Sequence, residues 1–259
     1  MLRRSSGIAA VSFLTLIAAA YAHEILALFG SYRRLYLAHP FYVVESIDKI
    51  GGALLCGISI WLLYRSGWQG ALETLGLSGN TLRASAFGFA ASLPMLFGFF
   101  LAVKFNAHLE VLPILFRDFF SPVVEEIEFR GFGVLQLQRG TGWPFWAVVW
   151  PSAALFGYGH VEQGQSALEM VGLFFLTGFG GVGFAWLAHR WQSLWVAIAL
   201  HIGMNLWWDL FSVSNNAIGG WFPFTLLALS ILIAVAGTWH LTKTRKRPGK
   251  ETGMAALGS

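Results

Sequence analysis

Long apolar runs recur along this chain, and they decide what it can fold into. A membrane-spanning helix needs about 20 consecutive apolar residues, and the sequence offers repeated windows near that length. They cover residues 8–29, 50–64, 84–103, 119–138, 143–160, 168–188, 193–212 and 221–240. The chain is 56% hydrophobic with a mean hydropathy of +0.62, far above the values of a soluble domain. We therefore predict an all-α fold, a polytopic bundle of about eight transmembrane helices.

The rest of the chain fits one membrane domain followed by a short tail. We assign residues 1–242 to a single transmembrane domain, and we predict that the basic, polar residues 243–259 form a disordered cytoplasmic tail. The single cysteine, Cys56, has no partner for a disulfide within the chain. The formal net charge is only +4, and the basic residues cluster at segment ends. This pattern argues against a nucleic-acid-binding function.

Lysine and arginine residues predict the orientation, because they concentrate in cytoplasmic loops. With the N-terminus inside, eleven of the 17 basic residues lie on the inner side and five on the outer side. We therefore expect a multi-pass protein of the cell membrane with both termini in the cytoplasm. In a bacterium, this would be the inner membrane. The first window has an alternative interpretation, because Arg3 and Arg4 precede an apolar run that ends in Ala20-Tyr21-Ala22. That arrangement is typical of a cleaved signal peptide.

Glu125, Glu126 and Arg130 lie inside the fourth window, where charge is costly. Glu125, Glu126 and Arg130 each carry a penalty of at least ~2.5–3.5 kcal/mol at membrane depth, so the group indicates a functional site. Ser121 and Pro122 are typical of a helix start, which would place both glutamates near a favourable helix dipole.

The spacing of these residues separates their roles. Glu126 and Arg130 are four apart and share a helix face, which favours an ion pair. Adjacent residues point about 100° apart, so Glu125 is left to face a polar cavity. Glu128 has no clear place. The alternative is a buried ion network with no further function.

Two later windows carry the other polar candidates. His160 ends the fifth window, and in a hairpin of the fourth and fifth windows it would meet Glu125, as a pair able to take a proton from water. His201 and Asn205 are four apart on one face of the seventh window, and both can donate hydrogen bonds to an oxyanion. Each has an alternative interpretation as a packing residue between helices.

One further motif is incomplete. His23-Glu24 is similar to the start of a zinc-protease helix, but Ala27 stands where the second histidine is required.

Taken together, these segments resemble the three motifs of one protease family. The first spans residues 125–131 (EEIEFRG), the second residues 156–160 (FGYGH) and the third residues 201–205 (HIGMN). They look like those of the CPBP family, the CAAX proteases and bacteriocin-processing proteins, which are glutamic-type intramembrane proteases and include the CAAX prenyl endopeptidase.

The resemblance implies a site inside the bundle and a role for each residue. Glu125 would be the general base that activates water, and His160 would assist it. His201 and Asn205 would stabilise the oxyanion, while Glu126 and Arg130 would form a supporting pair. The implied fold is a bundle of about eight transmembrane helices around an intramembrane catalytic cavity.

The predicted activity is therefore hydrolysis of a peptide bond by activated water, with no metal and no other cofactor. The substrate would be a membrane-anchored protein or peptide, including lipidated proteins and C-terminal sorting tails, in contact with membrane lipids and without nucleic acid. Three alternatives stay open: a metalloprotease, because two Glu and two His can hold zinc; a proton-coupled transporter; and a catalytically silent immunity or scaffold protein.

Overall fold

The computed structural model describes residues 2–214, 216 and 218–243, and within them the regular structure is helical. The first seven helices are α1 (Leu2–Ala20), α2 (Ala22–Ala27), α3 (Gly30–Ala38), α4 (Phe41–Tyr64), α5 (Trp68–Leu75), α6 (Thr81–Ala91) and α7 (Leu93–Ala102). A continuous helical segment over residues 111–141, here α8, follows. The last four helices are α9 (Phe145–Tyr158), α10 (Ala167–Trp191), α11 (Trp195–Leu210) and α12 (Trp221–Thr242). The all-α prediction is confirmed.

The predicted number of eight transmembrane helices is not confirmed. Among the described residues, four helical stretches are long and apolar enough to cross a membrane by length and composition. They are Phe41–Tyr64, Thr81–Ala102, Ala167–Trp191 and Trp221–Thr242. The remaining windows also form helices, but α9 has only 14 residues and α11 only 16, short of the ~20 that a bilayer requires. The window at 119–138 is interrupted by charged residues.

The α8 segment lies at the centre of the bundle. It comprises Val111–Ile114, Leu115–Phe120, Ser121–Glu125, Glu126–Gln136 and Leu137–Thr141, with wider π-type turns in the second and fourth pieces. It contacts α1, α4, α5, α9, α10 and α11, and its residues from Glu128 to Leu137 are buried. The helix that carries most of the polar candidates is therefore enclosed by apolar neighbours.

Helices α6 and α11 pack closely because small residues lie where they cross. A Cβ atom on Gly88 would collide with the backbone carbonyl of Val196, and one on Gly203 would meet the Ser92 hydroxyl. This close contact holds α11, which carries His201 and Asn205, in a fixed position against the core.

The predicted tail, residues 243–259, lies outside the described residues except for Lys243. Its disorder stays a prediction.

Candidate active site

The paired glutamates lie midway along α8 and not at a helix start. Ser121 has helical backbone angles (φ −57°, ψ −50°), and its side chain makes no capping hydrogen bond. The predicted helix start at Ser121 and Pro122 is therefore wrong, and so is the support from a helix dipole. Pro122 has no N–H and crowds the preceding turn. The wider turns of Leu115–Phe120 let the helix continue through the proline.

One carboxylate oxygen of Glu125 is held by two donors. The Ser121 hydroxyl donates to Oε1 at 2.6 Å, and Lys49 Nζ, from α4, donates to the same atom at 3.0 Å. The second oxygen, Oε2, lies 4.0 Å from His201 Nε2, a separation longer than a hydrogen bond. The carboxylate is thus fixed through one oxygen, while the other faces an imidazole across a gap.

Glu126 is fully buried and links α8 to α11. Its Oε1 lies 3.3 Å from an Arg130 guanidinium nitrogen and 2.9 Å from His201 Nδ1. The ion pair expected from the spacing of four is therefore present. If Nδ1–H of His201 donates to Glu126, the Nε2 atom is the one presented to Glu125.

Aromatic rings enclose Arg130. Its guanidinium carbon lies 3.8 Å from the ring centroid of Phe156 and 5.6 Å from that of Phe184, and the side chain is almost fully buried. A planar cation over aromatic faces is stabilised by their quadrupoles even where water is excluded. Phe156 therefore holds Arg130 in place from the second motif.

His160 follows the end of α9 and is oriented by its own helix. Its Nδ1 lies 2.7 Å from the Phe156 carbonyl oxygen, and its ring is 4.4 Å from the Phe156 ring. If Nδ1–H donates to this carbonyl, Nε2 is left as the acceptor on the other side of the ring. Phe156 thus contacts both Arg130 and His160.

Asn205 lies one turn beyond His201 on α11. Its amide nitrogen donates to the Arg117 carbonyl oxygen at 3.1 Å, and Arg117 in turn pairs with Asp209 at 2.8 Å. The shared face of His201 and Asn205 is present. One donor hydrogen of Asn205 is used by the chain itself, which leaves the second for another acceptor.

A cavity of about 540 Å³ brings Glu125 and His160 together. It opens where α1 and α9 end and α4 begins, and Lys49, Glu128 and Phe156 also line it. Neither His201 nor Asn205 lines this cavity. His201 lies next to Glu125 but outside the lining. The expected meeting of Glu125 and His160 therefore takes place across a shared cavity and not through a direct hydrogen bond among the described contacts.

Glu128, which the sequence left unplaced, points from α8 towards α4. It is 5% exposed, and its Oε1 has no hydrogen-bond partner among the described residues. A Cβ atom on Gly52 would collide with this oxygen. Glycine at position 52 is what makes room for the carboxylate.

Lys49 is the site residue that the sequence analysis missed. The orientation prediction places Lys49 among the five basic residues of the outer side, although it lies inside the long apolar helix α4. An ionisable residue within such a helix is a functional candidate by the same argument that singled out Glu125. The choice of Glu125 as its partner could not be read from the sequence, because the two residues are distant along the chain.

The fold and this site define a class: a membrane protein with buried carboxylates, and imidazoles beside them, in a helical bundle. Residues 106–207 match a family model described as type II CAAX prenyl endopeptidase Rce1-like. The match covers all three motifs and supports the predicted relationship to the CPBP and CAAX protease family. Because that is a protease family, peptide hydrolysis is supported as the class of activity. No curated protein and no solved structure matches the chain.

Proposed function

We propose that this protein is a glutamic-type intramembrane endopeptidase that cleaves membrane-anchored proteins or peptides. The observation that carries the proposal is the geometry of Glu125. Lys49 and Ser121 fix one of its oxygens, and the other faces His201 beside a cavity that His160 also lines. A general base needs an oriented carboxylate with one free acceptor direction, and this arrangement supplies it.

The proposed reaction proceeds without a covalent intermediate. A water molecule between Glu125 and His160 gives a proton to Glu125 as its oxygen attacks the carbonyl carbon of the peptide bond. The resulting oxyanion is stabilised by Nε2–H of His201 in its imidazolium form and by the second amide hydrogen of Asn205. Glu125 then returns the proton to the amide nitrogen, the C–N bond breaks, and the new carboxylic acid passes its proton to the leaving amine, so that a carboxylate and an ammonium group leave.

The pair of Glu126 and Arg130 supports this reaction indirectly, by positioning His201. Glu126 is buried beside Arg130 and contacts His201 Nδ1, so it sets the rotamer and tautomer of the imidazole. In this proposal the pair touches no substrate. It positions a residue that does.

The substitution Glu125→Gln tests the proposal. It keeps the size of the side chain and its hydrogen bonding, and it removes the base, so cleavage should fall by about 10²–10⁴-fold. The measurement is a comparison of membrane-protein termini in cells that carry either form, followed by cleavage of the identified substrate in proteoliposomes. Glu73→Gln, at an exposed carboxylate that does not line the cavity, is the matched control and should retain activity.

The same preparations separate the alternatives. Proton-linked flux in liposomes that is lost in Glu125→Gln, with no terminus changed, would replace the protease by a transporter. Identical termini and identical cellular behaviour of both forms would leave a non-catalytic role. Either result would overturn the proposed hydrolysis.

We further propose that the cavity opens towards the outer leaflet, in keeping with the excess of basic residues predicted on the inner side. Labelling of introduced cysteines by an impermeant reagent tests this orientation. Ala107→Cys and Ser78→Cys lie at exposed positions in the loops after and before the apolar stretch Thr81–Ala102, and the native Cys56 is fully buried. In intact cells Ala107→Cys should label and Ser78→Cys should not; the reverse pattern would place the cavity on the cytoplasmic side.

A further inference from the structure

A second cluster of polar side chains lies at the mouth of the cavity, away from the three motifs. His23 belongs to the short helix α2, and Glu45 and Asp48 lie three residues apart on one face of α4. One ligand atom from each of these residues lies within 4.8 Å of the other two. No other group of this kind is found among the described residues, so Glu125, His160 and His201 form none.

Asp48 is the member of this cluster whose burial needs an explanation. It is only 4% exposed. Its Oδ2 accepts a hydrogen bond from the Tyr32 hydroxyl and lies 3.0 Å from His23 Nδ1. Its Oδ1 has no hydrogen-bond partner among the residues that the structure describes. A buried carboxylate oxygen without a partner is costly, and a bound cation would remove that cost.

We propose that His23, Glu45 and Asp48 bind one divalent transition-metal ion. One imidazole nitrogen and two carboxylates are a donor set that Zn²⁺ and Mn²⁺ accept. Two ligand atoms that each lie about 2.0–2.2 Å from one metal ion are at most about 4.4 Å apart. Small side-chain rotations therefore bring the ligand atoms of His23, Glu45 and Asp48 within that separation. Tyr32 would then hold Asp48 in place by its hydrogen bond, without binding the metal itself.

The position of this site gives it a mechanical role. The ion would join α2 to the start of α4, and Lys49, which holds Glu125, directly follows Asp48 in α4. His23 is partly exposed and the cluster lines the cavity, so an ion can enter from solvent. The site is separate from the proposed catalytic centre, and it does not depend on the proposed hydrolysis.

The test is a titration of the full-length protein in detergent, stripped of metal, with Co²⁺ followed by its visible absorption and with Zn²⁺ as competitor. We expect one equivalent to bind. His23→Gln and Asp48→Asn should each weaken binding at least ~100-fold, more than the loss of an outer partner, and Tyr32→Phe should weaken it about 10-fold. The two ligand variants lie on different helices, so a folding defect in one leaves the other to decide. Glu24→Gln, an exposed carboxylate beside the same cavity, should bind like the parent.

Three results would overturn the proposal. The first is the absence of stoichiometric binding in the parent protein, and the second is unchanged binding in both His23→Gln and Asp48→Asn. The third is loss of the ion in Glu125→Gln, which would place the metal at the proposed catalytic glutamate and favour the metalloprotease alternative. Because absorption reports binding without any peptide cleavage, failure of this proposal and failure of the proposed hydrolysis are distinguishable.

Discussion

Glu126 and Gln136 are both completely buried in the same helix α8, yet their surroundings differ. The Gln136 amide is satisfied at both ends: Ser12 donates to its Oε1 at 3.2 Å, and its Nε2 donates to the Tyr64 hydroxyl at 2.8 Å. Glu126 has Arg130 and His201 on one oxygen, while the other has no hydrogen-bond partner among the described residues.

The difference distinguishes polar groups that hold helices together from polar groups that belong to the proposed active site. Gln136 joins α8 to α1 and α4 with neutral hydrogen bonds, which cost little to bury when they are complete. Glu126 carries a charge whose desolvation is only partly compensated, so the stability of the fold does not account for it. The part of α8 around Glu126, here called the functional half, and the part around Gln136, here called the structural half, can therefore be tested separately.

The largest effect is expected in the functional half. Glu126→Gln leaves Arg130 as an uncompensated buried charge, which should lower the free energy of unfolding by ~3–5 kcal/mol. The measurement is thermal unfolding in detergent, where we expect the midpoint to drop on the order of 10 °C.

The matched control removes both charges. The double variant Glu126→Gln/Arg130→Met should regain most of the stability, since it removes the buried charge that the single variant leaves without a partner. It should not regain peptide cleavage, because the carboxylate that contacts His201 is still absent. Recovery of activity together with stability would erase the distinction between the two halves.

An intermediate effect is expected in the structural half. Gln136→Leu removes the bonds to Ser12 and Tyr64 and should cost ~1–3 kcal/mol of stability. Cleavage per folded molecule should stay close to that of the parent, the opposite pattern to the double variant. A loss of cleavage without a change in unfolding temperature would show that this end of α8 also serves the reaction.

The smallest effect is expected for Lys49, which fixes the position of the Glu125 carboxylate but does not bury it completely. Lys49→Met removes one charge-assisted donor from Oε1 and leaves Ser121 as the other, so kcat/KM should fall about tenfold, equivalent to ~1.4 kcal/mol. Lys49→Arg keeps the charge and should fall less. Equal losses in both variants would indicate that the shape of the lysine side chain, and not its charge, positions Glu125.

The sequence predicted the helical class and the approximate position of each helix, because apolar windows depend only on local composition. It predicted the contact between Glu126 and Arg130 for the same reason, since helical geometry alone joins residues four apart. It failed at Ser121 and Pro122, where a local start signal was overridden by the packing of a longer helix. Its number of eight membrane-spanning helices is not confirmed, since four stretches of the described residues are long and apolar enough to cross a bilayer.

The sequence could not predict contacts between segments that are far apart along the chain. His23 was set aside because Ala27 breaks the motif on its own helix, yet the fold brings Glu45 and Asp48 to it from α4. Lys49 meets Glu125 in the same way.

The sequence by itself determined that this is a helical membrane protein, since that follows from composition, and its glutamates, histidines and asparagine stand in three segments that resemble the motifs of one protease family. Only the tertiary structure decided which oxygen of Glu125 is held, that His201 contacts Glu126, and that Lys49 contacts Glu125. The physical reason is that a buried charge takes its partners from whichever helices pack around it, and packing is a property of the whole fold.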